Sequence, residues 1–192
     1  MSAVGTRVLT DANVLYSRTL RDWIFLLNLT TENQLFRVTY TVDILSETIR
    51  SLRRNTGLDG GQLTRISDKI VANMDERIED YPNRDDSPCT DPFDAHVHAA
   101  AVAGRVNLLV THDSGFTELD HTVRDGLPYE IYSPDDFFVL VADSSPIAVR
   151  DATERQIRHF RQTDLHEKLA VAGCPEFSDY IHAVCKELAL RG

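Results

Sequence analysis

Residues 94–116, DAHVHAAAVAGRVNLLVTHDSGF, constrain the fold more than any other stretch of this chain. An acid opens an Ala-rich helix that runs to Ala103, and Gly104 closes it. Asn107–Thr111 is then a strand with the apolar centre Leu108–Val110, ending in Thr and followed at once by His112-Asp113-Ser-Gly. A strand with no alternating polar face must be covered on both sides. Such strands belong to parallel sheets, whose crossover helices supply the cover.

The rest of the chain repeats the theme. Arg7–Thr10 reads as a short strand running into Asp11, and the next helix is expected to start near Ser17. FRVTYT at 36–41 is β-branched and aromatic and predicts a second strand. From Val42 a helix carries Ile44, Leu45, Thr48, Ile49 and Leu52 on one side, with Arg50, Arg53 and Arg54 on the other. Gly57 is its expected C-cap. Residues 60–80 place Leu63, Ile66, Ile70, Met74 and Ile78 at spacings of three and four, predicting one continuous helix. Residues 81–92 are a polar loop, EIYS at 130–133 a short strand, and Ser133-Pro134 a helix start. Beyond about 145 only helical patterns remain. The expected organisation is an α/β domain over 1–142, a parallel sheet of four or five strands flanked by helices, with a C-terminal helical extension over 143–192.

Composition narrows the function classes. A length of 192 residues allows a core that needs no disulfide or metal staple. Cys89, Cys174 and Cys185 lack paired spacing and read as reduced thiols. No run of 18 apolar residues and no basic leader before an apolar core appear, so a cytoplasmic protein without a membrane span is expected. The net charge of −10 lies entirely in residues 61–150, which hold 17 acids against 7 bases. That balance does not suit a passive nucleic-acid binder, which gains affinity from basic excess. It is compatible with a protein that gathers carboxylates to hold a cation.

In parallel α/β sheets ligands sit outside the carboxyl ends of the strands. Asp11 and Asp113 each follow a strand directly, Asp94 opens the helix leading into the Asn107 strand, and Glu47 lies early in the helix after FRVTYT. Four acids from four segments thus converge on one end of the sheet. Clustered carboxylates repel one another, and a divalent cation removes the conflict. Oxygen ligands without cysteine favour Mg2+ or Mn2+. A phosphatase or receiver built on an Asp after the first strand lacks its partners here: Asn13 stands where a second Asp is needed, and the middle of the chain offers only Lys69.

TDANVL at 10–15, SET at 46–48 and DAHVHAAAVAGRVNLLVTHDSGF at 94–116 resemble the motifs of PIN-domain ribonucleases, of the kind found as VapC-like toxins in bacteria. The resemblance covers about residues 7–138. It implies endonucleolytic cleavage of RNA with Mg2+ or Mn2+, and it assigns metal binding to Asp11, Glu47, Asp94 and Asp113. Asn13 and Thr111 would support them, and Asp91 competes with Asp94 as a cap or outer acid. The DAN tripeptide departs mildly from the commoner D-x-S/T but keeps a polar side chain. A cognate antitoxin and a homodimer are expected by resemblance alone. His96 and His98 are expected to pack or support rather than ligate, and His112 is open to a phosphate contact. Arg50, Arg53 and Arg54 form one candidate RNA track, and Arg155, Arg158 and Arg161 another; surface pairing with Glu154 and Asp151 is the plain alternative for the second. The rival function is a catalytically weak module of the same fold that binds a protein or RNA partner.

Overall fold

The computed structural model describes residues 5–32, 34–82, 87–88, 94–160 and 164–190. Asp91 and Arg161, like Cys89, lie outside them. Five strands form one sheet: β1 (Thr6–Thr10), β2 (Phe36–Tyr40), β3 (Glu76–Arg77), β4 (Leu108–Val110) and β5 (Glu130–Tyr132). The order is β3-β2-β1-β4-β5 and every pairing is parallel.

Each strand feeds alternate residues into two cores. Val8, Val38, Leu108 and Val110 face one; Leu9, Leu109 and Ile131 face the other. This is the two-residue period of a strand buried on both faces. The second core is closed by α1 (Ala12–Tyr16), α3 (Val42–Thr56), α4 (Gly60–Ala72), α5 (Ala95–Ala103) and α6 (Ser114–Thr117). The first is closed by α2 (Arg18–Thr30), α8 (Pro134–Ser144), α9 (Pro146–Phe160), α10 (Leu165–Val171) and α11 (Pro175–Ala189). The short α7 (His121–Asp125) precedes β5 and buries no residue. The C-terminal helices therefore bury Val149, Ala152, Leu165, Leu169, Phe177 and Ile181 against the sheet. Trp23 of α2 meets Phe177 edge to face at 5.2 Å.

Three expected boundaries move. Asp11 caps a short helix before Ser17 caps the next, so the first crossover holds α1 and α2 rather than a single helix. The helix expected over 60–80 stops at Ala72, and β3 follows. The cause is Asp75: its carboxylate accepts from the Val38 amide at 2.7 Å and the Asn28 side chain at 2.8 Å. These bonds draw the chain out of the helix and along the edge of β2. Periodicity alone continues through Met74 and Ile78 because Ile78 is buried in its own right. The His112–Gly115 loop is shorter than expected, since α6 starts at Ser114.

Gly57 ends α3 with φ of +67°, as its type allows. Gly104 ends α5 with an ordinary helical φ of −71°, so its need is spatial. A Cβ there would stand 2.4 Å from Ile78 Cδ1 and 2.8 Å from the Ala100 carbonyl oxygen. Ile78 can turn aside, but the carbonyl cannot. Gly104→Ala is expected to cost about 1–3 kcal/mol of stability. A denaturant titration checks this; an unchanged midpoint would show that α5 and Ile78 can separate freely.

Candidate metal centre

The sheet order reverses direction between β1 and β4, the switch point where parallel α/β proteins hold ligands. Asp11 leaves β1 there and Thr111-His112-Asp113 leave β4 there. The Asp11 amide donates to the Val110 carbonyl at 3.1 Å, which ties the two strand ends together.

Asp11 is only 6% exposed, an unusual position for a carboxylate. One oxygen accepts from the Ala12 amide at 2.6 Å. The other accepts from the Asn13 side chain at 2.7 Å and the Thr111 hydroxyl at 2.7 Å. Thr111 Oγ in turn accepts from the Asp113 amide at 2.9 Å and from Asn13 Nδ2 at 3.1 Å. Asp113 accepts from the Gly115 amide at 2.6 Å with one oxygen. The net is directional: Asn13 donates to both Asp11 and Thr111, and Thr111 passes its own donor to Asp11, which fixes the plane of that carboxylate.

Burial pushes the Asp11 carboxyl above the ordinary Asp range; the bonds from Thr111 and Ala12 oppose this, and the charge of Asp113 adds to it. Glu47, on the second turn of α3, is also raised, first by partial burial and then by the charge of Asp11, with Asp113 contributing. Its carboxylate faces His96 Nε2 at 3.8 Å. Asp11, Glu47 and Asp113 thus form one electrostatic group from three elements, with His96 as a nearby base. His96 is the residue whose place was least visible in the chain; its position two after Asp94 on α5 was the available signal.

Asp94 stands at the N-cap of α5 and makes no capping hydrogen bond to the helix. Because α5 runs antiparallel to β4, its first residue lies at the same sheet edge as Asp113. His98 is buried and its Nδ1 meets the Tyr129 hydroxyl at 2.8 Å, a packing role. Arg50 lies within electrostatic reach of Glu47, and Arg53 and Arg54 are exposed on the last turn of α3. Arg155 and Arg158 share a recess on α9 with Asp151 and Glu154, and Arg158 is ion-paired with Glu154.

Among the described residues, no three His, Cys, Asp or Glu side chains are drawn together closely enough to hold a metal by themselves. The donor chemistry nevertheless suits a hard cation. All the gathered carboxylates are oxygen donors, the charge of Asp113 raises the Asp11 carboxyl, the charges of Asp11 and Asp113 raise Glu47, and Asp11 is buried without a cationic partner among its hydrogen bonds. Mg2+ characteristically keeps several waters and takes one or two carboxylates, so a dense protein cage is not required.

A family model described as PIN domain matches residues 7–115, more than half of the chain. The chain belongs to the PIN-domain family. The match begins at β1 and ends just past Asp113, so it contains Asp11, Glu47, Asp94 and Asp113. PIN domains are in general metal-dependent nucleases that use Mg2+ or Mn2+. The family also suggests RNA as the binding partner. Among curated proteins none matches this PIN-domain chain. No helix among its described residues is long and apolar enough to cross a membrane.

Proposed function

We propose that this PIN domain is a divalent-metal-dependent endoribonuclease, the toxin of a toxin–antitoxin pair acting in the cytoplasm. The observation that carries this reading is Asp11: a buried carboxylate at the switch point, oriented by Asn13 and Thr111, with the charge of Asp113 adding to the cost of its ionisation and its own charge raising the pKa of Glu47. Such a group is poorly placed as a structural acid and well placed as a metal ligand.

In this reading Asp11, Glu47, Asp94 and Asp113 hold Mg2+ or Mn2+, and Asp91 is an outer acid. Held there, such a cation would supply neutralisation of phosphodiester charge and activation of water. Asn13 and Thr111 aim Asp11, and the Thr111 bond opposes the upward push of burial on its carboxyl. Glu47, the more exposed of the two carboxyls raised in pKa, is the one matched to accepting a proton. Arg50, Arg53 and Arg54 beside it take backbone phosphates. Arg155 and Arg158 are the second such patch, weakened by the Glu154 pairing. An acidic site also suits the basic segment of an antitoxin, and a homodimer follows the family expectation. Finding a short reading frame for a small DNA-binding protein directly upstream of the gene would support the toxin assignment, and an isolated gene would count against it.

Incubation with total RNA tests the activity. Mn2+ is expected to give fragments with 5′-phosphate and 3′-hydroxyl ends, and a chelator to stop their formation. Fragments ending in 2′,3′-cyclic phosphate, or cleavage that survives the chelator, would contradict it. One observation favours the second reading, a weakly catalytic module that binds a partner: the described residues do not gather three metal donors. Intact RNA at saturating Mn2+ would select that reading.

A further inference from the structure

We propose that the turn joining α10 to α11 is a positioning strut for the metal-site loop, acting through His112; the inference rests on the nuclease reading of that site. His112 sits between Thr111 and Asp113 and makes two bonds in opposite directions. Its amide donates to Asn13 Oδ1 at 3.1 Å, the same Asn13 whose amino group holds Asp11 and Thr111. Its ring Nε2 lies 3.2 Å from the carbonyl oxygen of Ala172, the C-cap of α10. A carbonyl only accepts, so Nε2 carries the proton and donates. The bond satisfies a carbonyl that a helix C-terminus leaves without an intrahelical partner.

The far end of the strut is built for this approach. Gly173 has φ of +84°, and a Cβ there would stand 3.1 Å from His112 Cε1 and 3.4 Å from Nε2. Any larger residue would be strained in its backbone and would push on the ring. The turn itself is fixed. Cys174 N donates to the Leu169 carbonyl at 2.9 Å, and the Asp135 carboxylate accepts from the Glu176 and Phe177 amides at 3.0 and 2.8 Å. Leu169, Cys174 and Phe177 are fully buried. A rigid support thus reaches from the core of the C-terminal helices to the one exposed loop that carries Asp113. Neither the tail nor His112 needs to touch a metal or RNA. Groups that orient ligands in this way set metal affinity.

The test compares wild type, His112→Ala and His112→Gln. Metal-free hydrogen exchange reads the loop directly: His112→Ala is expected to speed exchange of the 111–115 amides at an unchanged melting temperature. His112→Gln, whose side-chain amide can still donate to Ala172, is expected to restore protection. Mn2+ affinity is expected to fall about tenfold in His112→Ala and to recover in His112→Gln. Unchanged exchange at 111–115 would overturn the proposal. So would unchanged Mn2+ affinity with a raised KM for RNA, which would make His112 an RNA contact. If wild type takes up no Mn2+, the nuclease reading falls and the exchange measurement alone decides the strut.

Discussion

Asp11→Asn is expected to lower metal-dependent RNA cleavage about a thousandfold, a loss of about 4 kcal/mol of transition-state stabilisation, in a protein that remains folded. The amide is isosteric, so the packing around Leu9, Ala12 and Val110 need not change. It can turn its oxygen toward Asn13 and Thr111, which donate at 2.7 Å each, at the expense of the Ala12 amide bond. What it cannot restore is the negative charge. The magnitude follows from that: a neutral ligand no longer compensates the cation that Glu47 and Asp113 would otherwise share. Cleavage assays with circular dichroism of the same sample read both halves. Substantial residual cleavage would move the chemistry away from Asp11.

The second large effect is on stability. Burial raises the Asp11 carboxyl above its ordinary value of 3.8. A raised folded-state pKa means that the folded protein holds its proton more tightly than the unfolded chain. The associated stabilisation is therefore complete below the unfolded value and is lost as pH rises through the raised folded value. Metal-free wild type should then be less stable relative to Asp11→Asn at neutral pH than in acid, because only wild type carries the buried charge. Mn2+ reverses the comparison. At free Mn2+ a hundredfold above Kd, binding adds about 2.7 kcal/mol, a rise of about 5–10 °C for a chain of this size. Asp11→Asn, at least about tenfold weaker for the ion, should show no more than about half of that rise. Melting curves across pH, with and without Mn2+, measure the sign of each difference; a wild-type curve that ignores Mn2+ would contradict the account.

Much of this was legible because local chemistry and global fold agree. The helix expected from Val42 is α3, and Gly57 ends it in the left-handed region, as its type and the apolar spacing before it require. Leu108–Val110 is buried on both faces, which a wholly apolar run demands. The placement of Asp11 and Asp113 at strand ends follows from those strands. Asp11, the proposed metal ligand, is also a helix cap: it holds the Ala12 amide while its other oxygen serves the Asn13–Thr111 net.

What was not legible depends on contacts distant in sequence. β3 is two residues long, and it exists because Asp75 reaches Val38 and Asn28, 37 and 47 positions away. Arg105, rather than Gly104, takes the left-handed conformation after α5, because Gly104 is needed against Ile78. The pairing of His96 with Glu47 joins α5 to α3 across the sheet edge. The apolar pattern of 165–189 predicts helices, but nothing local says that their turn meets His112.

The central claim is that Asp11 and its neighbours hold a divalent cation. Titrating the metal-free protein with Mn2+, and following the free-ion signal by electron paramagnetic resonance, tests it without reference to any substrate. Wild type is expected to take up Mn2+, with affinity at least about tenfold weaker in Asp11→Asn. Equal uptake by the two proteins, or none by wild type, would contradict it.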